Sequence, residues 1–145
     1  MTPDEQRLCD VLSSVCELNS DESIEAYVTT IKALRGSKNE DVLRCLLRCL
    51  RDADAGEVQY ELVEASEAFP QYVPILLEEG LRMYARAPTW FTLMFQSILN
   101  TPTLADDAIA RIHRMSASGR AGYRQILSEI AEDTPQYRKF LERLS

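Results

Sequence analysis

Between Asp52 and Leu81 the chain has no lysine, arginine or histidine. Affinity for a phosphate backbone comes from clustered basic side chains, so this fifth of the chain is no nucleic-acid site. Other scarcities narrow the class further. The one histidine, His113, has no cysteine or acid at ligand spacing, which makes a helix-surface role the expectation. Gly36-Ser37-Lys38 lacks the earlier glycine and the strand of a phosphate loop, and no G-x-S-x-G, H-E-x-x-H or G-x-G-x-x-G occurs. With only five glycines and no sustained alternation, strands are not expected. The longest apolar runs, TLMF and VPILL, are too short to span a bilayer. MTPDEQRLCDVL lacks the positive start and apolar core of a signal peptide, so a cytoplasmic protein with no membrane partner is expected.

What is present fits one helical domain. At 145 residues, 46% hydrophobic and 27% charged, the chain can bury a full core. Leu8, Val11, Leu12 and Val15 form an apolar stripe on a first helix. A second starts at a capping serine in SDES and stops at Arg35-Gly36. The third, EDVLRCLLRCLRD, gathers Val42, Leu43, Leu46, Leu47 and Leu50 on one face. The fourth is expected from about Glu57 to Phe69, with Val58, Leu62, Ala65 and Phe69 inward. Pro70, Pro88, Pro102 and Pro135 then punctuate the chain near helix starts, where a missing N–H is harmless. About nine helices result, and three pairs of them begin about 32 residues apart. That period predicts an all-α, HEAT-like α-solenoid of stacked antiparallel hairpins, one domain over residues 1–145. Cys9 and Cys16, and Cys45 and Cys49, share helix faces among leucines and valines, so they read as reduced core thiols.

The charge is local. Asp52, Asp54, Glu57, Glu61, Glu64, Glu67, Glu78 and Glu79 outweigh the whole-chain charge of −7, leaving +1 for everything else. Like charges three or four apart on a helix repel by a few tenths of a kcal/mol each, and solubility is served better by mixed signs. A one-sign strip steers a basic partner instead. Glu57, Glu61 and Glu64 are predicted in one line beside the apolar stripe, with Tyr60, Glu64 and Glu67 in the next. These residues, with Asp54 and Gln96, are the expected contacts for a basic protein.

A family pattern agrees. Asp52 precedes a turn, Glu57-Val58 opens a helix, and Glu67 and Phe69 close it. Tyr72, Ala87-Pro88-x-Trp90 and Ile98-Leu99-Asn100 follow, with Pro135, Tyr137 and Phe140 in the tail. Over roughly residues 41–141 the chain resembles the helical immunity proteins of bacterial polymorphic toxin systems, immunity protein family thirty. It departs at Gln59-Tyr60, where that family more often has an apolar pair, so these two positions are expected to be partner-specific. The resemblance implies a cytoplasmic antitoxin that blocks a toxic C-terminal domain, for which a nuclease with a basic cleft would suit the acids. It implies no catalysis and no cofactor. Two rivals stay open: a general helical-repeat adaptor, and a hydrolase that would need Glu57 and Glu61 as a desolvated pair. Trp90, the only tryptophan, is expected to pack between hairpins, with a binding anchor as the alternative.

Overall fold

The computed structural model describes residues 1–52 and 56–145, and among these it is helical, with no strand. The helices are α1 (Pro3–Val15), α2 (Asp21–Leu34), α3 (Glu40–Arg48), α4 (Tyr60–Glu67), α5 (Tyr72–Arg86), α6 (Pro88–Leu99), α7 (Pro102–His113), α8 (Ala117–Asp133) and α9 (Arg138–Arg143). Single 3-10 turns, Gly56–Gln59 and Pro135–Tyr137, lead into α4 and α9.

The boundaries follow local chemistry. The Thr2 and Ser20 side chains each accept from the backbone N–H three residues on, and their own backbone N–H groups donate back to that residue's side chain, closing a capping box. Gly36, at φ +88°, takes the left-handed turn after α2, a conformation costly for residues with a Cβ. Leu18 adopts φ 53° between α1 and α2, at a cost of about 1–2 kcal/mol; its side chain is buried, which offsets that.

The chain divides into two compact units, Met1–Phe91 and Thr92–Ser145. In the first, α1, α3 and α5 pack successively, α2 packs on α1 and α4, and α3 also touches α4. Leu12, Tyr27, Ile31, Leu43, Leu46, Leu47, Leu62 and Leu76 are fully buried there. Each aliphatic one contributes about 1.5–3 kcal/mol relative to exposure. Arg86 closes the C-terminus of α3 by donating to the Leu47 and Leu50 carbonyls at 3.1 and 3.3 Å. Cys9, Cys16 and Cys49 are buried and Cys45 half-buried, all four as free thiols. Contact with the Cys49 thiol and burial hold Cys16 far above the ordinary range. A hydrogen bond with Cys16 lowers Cys49, but the Cys45 thiol and burial outweigh it and push Cys49 up to about 12.

In the second unit α8 packs on α7 and α9 around Phe95 and Tyr123, whose rings meet edge-on at 5.7 Å. Several arginines of this unit are ties between its segments. Arg143 reaches Asp106 at 2.8 Å, Arg124 donates to the Leu144 carbonyl, and Arg120 to those of His113 and Met115. The His113 ring shares a hydrogen bond with the Arg143 carbonyl at 2.7 Å, so it links α7 to α9.

Three expected boundaries move. The third helix stops at Arg48, and the segment expected as one helix from Glu57 divides into the 3-10 turn and α4, which ends before Phe69. The cause lies in Gln59, which is fully buried. Its amide accepts from the Arg51 N–H at 2.9 Å and donates to the Arg51 carbonyl at 2.6 Å. Gln59 therefore staples two backbone segments, which corrects its reading as a partner-specific residue. Buried polar groups need such partners.

Candidate partner-binding face

Three of the expected contacts, Tyr60, Glu64 and Glu67, are exposed on α4; Glu57 is exposed on the preceding 3-10 turn, and Glu61 is half-buried. Asp54 lies outside the described residues. Gln96 is half-buried on α6 within the second unit.

Tyr60 is 51% exposed, unusual for a large aromatic side chain. Its ring stands edge-on to Trp90, with centroids 4.9 Å apart and planes at 77°. Trp90 is buried, 8% exposed, and Gly56 passes so close that a Cβ there would sit 3.7 Å from the indole. Trp90 is therefore core, and it supports Tyr60 from beneath. An edge-to-face pair of this kind contributes about 0.5–1.5 kcal/mol beyond its buried area, so the exposed ring is held in place.

The acids are less alike than their order along the chain suggests. Arg35, at the end of α2, forks onto Glu61 at 2.8 Å and Glu64 at 3.3 Å. Arg44 of α3 meets Glu78 at 2.9 Å. Glu79 is buried, and its two oxygens are taken by Arg48 and Arg82, each at 2.8 Å. Asp52 accepts from the Thr89 N–H at 3.4 Å, in the first turn of α6. Among the described residues, Glu57 and Glu67 have no cationic partner. Partial burial, and then the neighbouring Glu64 charge, raise the Glu67 carboxyl above its ordinary value.

The structure thus keeps Glu57, Tyr60, Glu64 and Glu67 as exposed groups on one short segment and assigns Glu79 to the interior. Sequence reasoning missed the arginine pairing because its partners come from α2 and α3, 26 to 34 residues away. Glu57 and Glu61 do not form the desolvated pair a carboxylate hydrolase needs: one is exposed, and the other carries Arg35. Among the described residues no three His, Cys, Asp or Glu side chains gather to hold a metal, and no helix is long and apolar enough to cross a membrane.

Residues 14–108 match the family described as immunity protein 30. The match takes in α2, which the sequence resembles only in general character, and stops before the tail with Pro135, Tyr137 and Phe140. No curated protein and no solved structure matches the chain. A match over about two thirds of its length, through every helix that builds the acidic face, settles the kinship: the chain belongs to the immunity protein 30 family.

Proposed function

We propose that this immunity protein neutralises its toxin in the cytoplasm by setting the α4 face against a basic surface of the toxin domain, such as the phosphate-binding cleft of a nuclease. The observation that carries the reading is Tyr60: a half-exposed ring propped on a buried tryptophan, with Glu57, Glu61, Glu64 and Glu67 around it. Tyrosine is enriched among residues that dominate binding energy, because it adds large contact area at low entropic cost. The carboxylates supply long-range attraction, which raises association rates by one or more orders of magnitude at low salt. Arg35 trims the charge and holds Glu61 and Glu64 at fixed positions. Inhibition is by occlusion, and the immunity protein does no chemistry of its own.

The test is co-expression of the cognate toxin domain with wild type, Tyr60→Ala, or a Glu57→Lys/Glu64→Lys double variant. Growth rescued by wild type and lost with both variants, while each remains folded, supports the reading. Full rescue by both variants would refute it.

A further inference from the structure

In the second unit a cavity of about 320 Å³ opens between the end of α6, the first turns of α7 and α9. Its floor is apolar: Leu99, Ala105 and Phe140 are each 5% exposed or less. Its rim is polar and open to solvent, with Asn100, Asp106, Lys139 and Arg143 all exposed. None of these side chains belongs to the α4 face, and Lys139, Phe140 and Arg143 lie beyond the stretch that matches the family. Docking of a toxin domain on α4 leaves the cavity unused.

The rim carries two cations and one acid, and that acid is already paired: Arg143 donates to the Asp106 carboxylate at 2.8 Å. Lys139 has no acid beside it among the described residues. Its ammonium stands over the Phe140 ring, 5.1 Å from the centroid, which holds the charge at the edge of the apolar floor. Asn100 accepts from the Tyr137 hydroxyl at 3.1 Å through Oδ1, and its amide nitrogen, with two N–H donors, has no partner among the described residues. An apolar floor with a few convergent polar groups is the usual form of a small-ligand site, and this volume falls at the small end of the range of about 300–1,000 Å³.

We infer that this cavity binds a small carboxylate carried on an apolar body, with the body against Leu99, Ala105 and Phe140 and the carboxylate between Lys139 and Asn100. Lys139 and Arg143 against Asp106 leave the rim at +1, so an anion suits it. A carboxylate there gains charge-assisted hydrogen bonds from both donors. A cationic ligand would meet Lys139 and no unpaired acid. A neutral apolar one would cover the ammonium without giving it a counterion, which costs free energy. A bare inorganic anion would leave the apolar floor unfilled. A free acid and the last residue of a peptide present the same chemistry, and the test separates them.

Amide NMR of the full chain would follow Asn100, Lys139 and Phe140 while 4-phenylbutanoate, its neutral amide 4-phenylbutanamide, or the cationic 4-phenylbutylamine is added. The expected result is that phenylbutanoate saturates these signals with a Kd below about 1 mM, and that the other two bind at least about tenfold more weakly. No saturation by phenylbutanoate, or shifts centred on other residues, would overturn the site. Equal binding of the amide would overturn the carboxylate assignment. Two variants test the rim. Lys139→Glu reverses the unpaired cation, and Asn100→Asp keeps an acceptor for Tyr137 while replacing the amide donors with an acid. Both positions are exposed, so each variant should melt as wild type does and bind phenylbutanoate at least about tenfold more weakly. Wild-type affinity in either folded variant would overturn the rim. N-acetyl-phenylalaninate supplies the peptide arm: binding tighter than that of phenylbutanoate assigns the cavity to a chain terminus, and weaker binding assigns it to a free acid.

Discussion

Replacing Gln59 by leucine tests whether this glutamine belongs to the fold or to the partner. The side chain is fully buried, and both of its hydrogen bonds end on the backbone of Arg51. Leucine has a similar volume, so the cavity contribution is small. What changes is that one N–H and one carbonyl lose their partners at a half-buried residue. Each unsatisfied group costs about 1–3 kcal/mol when buried. Partial access to water and the better transfer energy of leucine reduce the sum to about 2–3 kcal/mol. For a chain of this length, that corresponds to a fall in Tm of about 5–10 °C. Urea unfolding and calorimetry would measure it, with Gln59→Ala as the larger-cavity comparison. A Gln59→Leu variant within about 0.5 kcal/mol of wild type, the range of ordinary surface changes, would refute the staple.

Other expectations follow from the ion pairs and the raised carboxyl. Removing Arg35 should cost less than about 1 kcal/mol, since both of its pairs are exposed. It should also raise the rate of association with the toxin domain at low salt, read by stopped flow; an unchanged rate would remove the steering role. Glu79→Ala should destabilise by about 2–4 kcal/mol in urea unfolding, because it empties a buried position and breaks both arginine contacts, whereas Arg82→Ala leaves Arg48 in place and should cost less. Glu67 has a folded-state pKa above its unfolded one, so its contribution favours folding at low pH and is lost as pH rises through the folded value. The stability gained by Glu67→Gln over wild type should therefore be larger at pH 7 than at pH 4; a gain independent of pH would contradict the raised carboxyl.

The helices were legible in the sequence because their signals are local. Ser20 and Gly36 bound α2, the α3 leucines share one face, and prolines mark the starts of α6 and α7. What escaped depends on contacts between distant segments. Gln59 is polar and sits in an acidic run, so nothing nearby distinguishes a buried staple from an exposed contact; its partner is the Arg51 backbone. The helical period carried Glu57 onto the same helix as Glu67, whereas the staple tightens that first turn into 3-10 form. Glu79 counted as one more surface acid until Arg48 and Arg82 enclosed it. Of the candidate face, the acids and Tyr60 could be named from the sequence, but their division into paired and unpaired required α2 and α3 to fold alongside.

The central claim, that the α4 face holds the toxin, is tested most directly by the affinity of the purified toxin domain for wild type and for a Glu57→Lys/Tyr60→Ala/Glu67→Lys variant of unchanged Tm. Calorimetric titration at two salt concentrations would provide it. The account predicts a loss of at least about a hundredfold in the variant, with wild-type binding weakening as salt rises. Equal affinities for the two proteins would contradict it and place the toxin on another surface.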